Sequence, residues 1–175
     1  MNLANSLTIF RILMAPVISI LMVYKYWRLG LAVFVLAGIT DALDGFVARS
    51  RAQGTDLGMI LDPLADKLLL FATFMTLVYL HQIPQWLFII AISRDLIVVG
   101  GFLVIYIVKG KATVSVSWIG KCTTGLQMLT VLATIIARVA GGAGSYVPGL
   151  IYLTAAVTIV SGLDYLRRGT MVLNS

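Results

Sequence analysis

Hydrophobic residues fall in six long runs along this chain, and polar residues collect in the short stretches between them. The runs are Ile9 to Trp27, Leu29 to Ala48, Gly58 to Leu80, Ile83 to Val108, Gly120 to Ala140 and Tyr146 to Leu166. Each approaches the roughly 20 residues that an α-helix needs to cross a bilayer. The pattern therefore predicts an all-α integral membrane protein with six transmembrane helices in a single domain, residues 1–175. Residues 1–8 are more polar and are expected to form a short interfacial segment, with Asn5 and Ser6 as helix caps. A signal peptide is not expected there: the start lacks Lys and Arg, the apolar run contains Arg11, and no small-residue cleavage site follows. Asp62-Pro63 fits either an N-cap followed by proline at the first helical position or a kink.

Composition excludes a soluble domain, since 60% of the residues are hydrophobic, 11% are charged and the mean hydropathy is +1.01. A net charge of +6 raises nucleic acid as a partner, but most of the basic residues flank apolar runs, where they orient the chain and meet lipid headgroups. Arg49, Arg51, Lys109, Lys111, Arg167 and Arg168 would share one side, expected to be cytoplasmic, and six spans then put both termini there. Lys25, Arg28 and Arg138 would fall near the outer face, and Trp27, Trp86 and Trp118 near an interface. Cys122 is the only cysteine, so no intrachain disulfide exists.

Against this background the aspartates stand out. Asp41, Asp44, Asp62 and Asp66 are four of only seven acidic residues, and unpaired charge in an apolar bundle is costly. Asp41 and Asp44 are i and i+3, Asp62 and Asp66 i and i+4, so each pair projects from one face of its helix. Two such helices side by side would make an all-oxygen cage suited to Mg²⁺ or Mn²⁺, and no His or Cys joins them to suggest zinc. A pair of such ions clamps phosphoryl oxygens. Gly45 and Ala48 on one helix and Gly58 on the other leave room for a flat nucleotide near the backbone.

Other polar residues admit two readings each. Arg11 fits snorkelling to the surface or contact with an anion, and Arg94-Asp95 fits a functional pair or structural pairing with neighbouring helices. Thr123, Thr124 and Gln127 read as helix-packing glue, whereas Lys121 near the acidic cluster suits a phosphate. A divalent-cation transporter is the alternative from another class, but its carboxylates belong near the midplane rather than at one end of the spans.

The segment D-x2-D-G-x2-A-R-x8-G-x3-D-x3-D, from Asp41 to Asp66, resembles the signature of the CDP-alcohol phosphatidyltransferase family. Asn5-x2-Thr8-x2-Arg11 with Pro16, Leu61 to Lys67, Ser117 to Lys121 and Ser161 to Tyr165 extend the resemblance to the bacterial phosphatidylglycerophosphate synthases of that family. The resemblance implies a six-helix, usually dimeric enzyme of the bacterial inner membrane, its site facing the cytoplasm. It would transfer a phosphatidyl group from CDP-diacylglycerol to glycerol-3-phosphate, with CMP released. It implies Asp41, Asp44, Asp62 and Asp66 as ligands of two Mg²⁺ or Mn²⁺ ions, with Asp66 also the general base. Asn5, Thr8, Arg11, Gly45, Ala48, Arg49 and Gly58 would form or border the CDP site. Lys67, Arg94 and Lys121 are the candidates for the acceptor phosphate.

Relatives that use glycerol-3-phosphate typically carry Arg-Glu where this chain has Arg94-Asp95, a further Arg at Phe102 and a second Lys at Thr123. Ser93-Arg94-Asp95 resembles instead the family's cardiolipin synthases, whose acceptor is phosphatidylglycerol.

Overall fold

The computed structural model describes residues 3–51, 56–109, 118–142 and 144–174, with side chains described for 9–40, 67–101, 103, 104, 107, 118–142 and 144–171. Among them are six helices: α1 (Leu3–Val23), α2 (Trp27–Arg51), α3 (Asp56–Tyr79), α4 (Gln85–Lys109), α5 (Trp118–Val139) and α6 (Tyr146–Asn174). Each predicted apolar run has its helix. Among the described residues, Trp118–Val139 and Tyr146–Met171 are long and apolar enough to cross a membrane by length and composition.

Three boundaries differ from expectation. Helix α1 already begins at Leu3, so Asn5 and Ser6 lie inside it and are not caps. No proline or glycine stands between Leu3 and Ile9 to break it, and each residue added to an existing helix gains a hydrogen bond. At its other end α1 stops at Val23, and Trp27 opens α2. Helix α3 starts at Asp56 and runs through Asp62-Pro63, which rules out Asp62 as an N-cap.

The early stop of α1 has a local cause. Lys25 adopts φ 63°, its amide bonds the Met22 carbonyl at 2.9 Å, and the Tyr26 amide bonds that of Leu21 at 2.8 Å. This is the Schellman arrangement, in which a left-handed residue turns the chain and satisfies the last carbonyls. Helix α3 ends the same way at His81 (φ 57°), with His81 bonding Val78 at 2.9 Å and Gln82 bonding Leu77 at 2.8 Å. Helix α5 repeats it at Gly141 (φ 76°).

The chain divides into two compact units. The first holds residues 1–82 and 131–143, where α1 packs against both α2 and α3. Its buried residues recur at helical spacing: Arg11, Ala15, Ile18 and Met22 on α1; Gly30, Phe34 and Ala37 on α2; Leu69, Thr73 and Leu77 on α3. Thr76 Oγ1 donates to Ser19 Oγ at 2.9 Å, tying α3 to α1.

The second unit holds residues 83–130 and 144–175, with α4 against α6. The buried stripe of α5 within it is Gly120, Thr123, Gln127 and Thr130, almost free of large apolar groups. Thr130 and Thr154 hydroxyls meet at 2.7 Å across α5 and α6, and Thr123 bonds back to the Ile119 carbonyl at 2.8 Å. Thr123 and Gln127 are thus buried in the helix packing, as expected, whereas Thr124 is exposed and its hydroxyl donates to the Gly120 carbonyl of its own helix.

Candidate functional site

Arg94 is the best-defined functional candidate among the described side chains. It points inward from α4 and is 6% exposed, a burial that a guanidinium tolerates only with close partners. Three surround it. Its Nη1 donates to Asp95 Oδ1 at 2.7 Å, and Nε and Nη2 both donate to Ser161 Oγ on α6 at 3.2 Å. The Tyr165 ring lies 5.3 Å from the guanidinium carbon, within cation–π range.

Small residues make this cradle possible. A Cβ on residue 120 would sit 2.7 Å from Arg94 Nη2 and 3.0 Å from Tyr165 Oη, so glycine alone lets α5 approach the cluster. Gly162 fits against the Arg94 stem, where a Cβ would meet Cγ at an ordinary 3.7 Å. Sequence reasoning singled out the segments Ser117 to Lys121 and Ser161 to Tyr165 but gave Gly120, Ser161 and Tyr165 no role. The signal available was the presence of small residues at helical positions in a polar stripe.

Lys121, next to Gly120, is exposed, and its Nζ lies 5.9 Å over the Trp118 ring. Thr123 is fully buried, so position 123 offers no outlet for a second lysine in this packing. Asp164 is paired with Arg168, whose Nε donates to Oδ2 at 2.8 Å. A cleft of about 240 Å³ opens beside Arg94 between α4 and α6, lined by the apolar side chains of Ile90, Ile97, Ile159 and Leu163 together with Ser93 and Thr158.

In the first unit, Arg11 is 1% exposed, which sets aside snorkelling to the surface, and it has an interaction partner. Lys67 on α3 is exposed and also has an interaction partner. Asn5 and Thr8 belong to α1, Asp41, Asp44, Gly45, Ala48 and Arg49 to α2, and Gly58, Asp62 and Asp66 to α3. The side chains of these ten, and that of Phe102, lie outside the described residues. Among the described residues no group of three or more His, Cys, Asp or Glu forms a metal site.

Comparison with known proteins identifies the family. Residues 1–160 match the model of the CDP-alcohol phosphatidyltransferase family. A human cardiolipin synthase (CMP-forming) is 36% identical over 96% of this chain and 62% of its own length. The CDP-diacylglycerol–glycerol-3-phosphate 3-phosphatidyltransferase of Bacillus subtilis is 33% identical over 95% of this chain and 94% of its own. A probable phosphatidylglycerophosphate synthase of Mycobacterium tuberculosis is 30% identical over 95% and 81%. The chain spans about three fifths of the length of the human and rat relatives, at 62% and 61%. With the family model covering most of its length, the chain belongs to the CDP-alcohol phosphatidyltransferase family.

Proposed function

We propose that this protein transfers the phosphatidyl group of CDP-diacylglycerol to a hydroxyl of glycerol-3-phosphate, giving phosphatidylglycerophosphate and CMP. The carrying observation is the unbroken motif from Asp41 to Asp66 in a chain of this family, with its two halves on α2 and α3. Helical spacing adds support. Positions 41, 44 and 48 continue the buried series 30, 34, 37 of α2, and positions 58, 62 and 66 lead into the series 69, 73, 77 of α3. Both helices pack on α1, which carries buried Arg11.

The family is divalent-metal dependent, and the donor chemistry fits: Asp41, Asp44, Asp62 and Asp66 supply hard carboxylate oxygens. Two Mg²⁺ or Mn²⁺ ions held there would neutralise phosphoryl charge and acidify the acceptor hydroxyl. Asp66 takes the hydroxyl proton, the hydroxyl oxygen bonds the phosphorus of the phosphatidyl group, and the phosphoanhydride bond to CMP breaks. Asn5, Thr8, Arg11, Gly45, Ala48, Arg49 and Gly58 hold the CDP moiety. Lys67, Arg94 and Lys121 provide positive charge for the acceptor phosphate. We place this chemistry in a six-span homodimer of a bacterial inner membrane, with the site and both termini on the cytoplasmic side.

A second reading, cardiolipin synthesis with phosphatidylglycerol as acceptor, draws on particular observations. The human relative carries that name, position 123 leaves no outlet for a second lysine, and the apolar cleft beside Arg94 would suit part of an acyl chain. Competition decides between them: labelled CDP-diacylglycerol is supplied with glycerol-3-phosphate and phosphatidylglycerol together, and the lipid product is identified. Phosphatidylglycerophosphate as the main product supports the first reading; cardiolipin as the main product replaces it with the second.

A further inference from the structure

A second polar site lies at the other end of α2 from the aspartates. Residues 25–29, with Arg138 and Val139, line a cavity of about 300 Å³ within the first unit. Three cations, Lys25, Arg28 and Arg138, border it, and no lining residue is acidic. Among the described residues none of the three forms a salt bridge. The next acidic residue along α2 is Asp41, about 20 Å further along the helix axis.

Two features distinguish this place from three scattered surface charges. The Schellman turn at Lys25 holds its backbone left-handed, a conformation that lysine adopts only at a cost and glycine adopts freely. The same turn opens α2 at the cavity: the Tyr26 carbonyl accepts the Gly30 amide at 2.9 Å. The first-turn amides of Trp27, Arg28 and Leu29 then belong to the set with no intrahelical acceptor, and all three residues line the cavity. Tyr24 and Tyr26, 70% and 60% exposed, flank it beside half-buried Trp27, the aromatic signature of a membrane–water interface. Arg138 also complements the C-terminal end of the α5 dipole, but that purpose does not require Lys25 and Arg28 to converge with it.

We propose that this cavity binds the phosphate of an anionic phospholipid, on the membrane face opposite the aspartate segment. The site rests on the membrane setting of the proposed function and not on its chemistry or acceptor. Cations with no carboxylate partner among the described residues, at an aromatic interface beside open helix amides, favour the phosphodiester of a headgroup with net negative charge over that of a zwitterionic one, whose own cation they repel. A basic cluster on the outer face, against the usual charge bias, acquires a purpose by the same step.

Trp27 supplies the reporter. The full chain, with Trp86→Phe and Trp118→Phe so that only Trp27 emits, is reconstituted in phosphatidylcholine vesicles. A minor fraction of brominated phosphatidylglycerol or brominated phosphatidylcholine is included, and quenching is compared. Brominated phosphatidylglycerol should quench Trp27 at several-fold lower mole fraction, and Lys25→Gly or Arg138→Gln should each reduce that preference by about fivefold. Lys25→Gly suits the left-handed turn, so an unfolding temperature no lower than that of the parent chain separates loss of binding from loss of fold. Equal quenching by both lipids, or a preference that survives both substitutions, overturns the proposal. Displacement of the lipid by inorganic phosphate would reassign the cavity to a soluble anion and overturn it as well. CMP release measured on the same samples reports separately on the catalytic assignment.

Discussion

Position 120 shows how one missing methyl group sets up a polar cluster. Gly120→Ala would drive a Cβ to within 2.7 Å of Arg94 Nη2, and because Asp95, Ser161 and Tyr165 all hold that guanidinium, it has little freedom to yield. The substitution should cost about 1–3 kcal/mol, as overpacking does. Ser161→Ala, which removes the acceptor of two Arg94 bonds, should cost about 1.5–3 kcal/mol. Denaturation in detergent micelles measures both, and a neutral Gly120→Ala would mean that Arg94 sits elsewhere. Lys121 belongs to the same neighbourhood but is exposed. Lys121→Ala should therefore leave stability unchanged and raise the KM for a phosphorylated acceptor several-fold, with a smaller change for CDP-diacylglycerol. An equal rise for both substrates would remove Lys121 from the acceptor site.

Helix ends carry the next level of design. Helices α1 and α3 close with Lys25 and His81 in the left-handed conformation that α5 gives to Gly141. Lys25→Gly should stabilise the protein by about 0.5–1 kcal/mol, relief of the side-chain penalty exceeding the extra entropy of the unfolded glycine. Loss of stability would contradict the capping geometry. These ends also explain what the sequence conveyed and what it did not. Six apolar runs gave six helices because hydrophobic length is a local property. The cap at Gly141 was legible in the residue itself. Those at Lys25 and His81 were not, since neither residue type favours a positive φ, and the first helix was accordingly drawn on to Trp27. Asp62-Pro63 fits either an N-cap or a kink by sequence; α3 begins at Asp56 and runs through it, because a proline within a packed helix is tolerated where neighbours support it. The aspartate pairs stand out in the sequence through a spacing that a helix would turn into a shared face. The partners of Arg94 were not: Ser161 lies 67 residues away, and only packing of α6 against α4 makes the contact.

On the scale of the whole molecule, the two units divide the polar residues between them. The first carries the helices of the aspartate motif together with buried Arg11, and the second carries the Arg94 cradle, Lys121 and the threonine seam. The proposed function accordingly puts donor-substrate chemistry on α1, α2 and α3, and acceptor selection chiefly on α4, α5 and α6. The divalent-cation transporter has no support in this division or in the family match. Metal-dependent CMP release from CDP-diacylglycerol tests the central claim most directly. The purified protein with glycerol-3-phosphate or phosphatidylglycerol should release CMP when Mg²⁺ or Mn²⁺ is added and stop when it is chelated, and Asp62→Asn should abolish turnover. CMP release that persists without divalent metal, or at near-normal rate in Asp62→Asn, would contradict the assignment of the four aspartates.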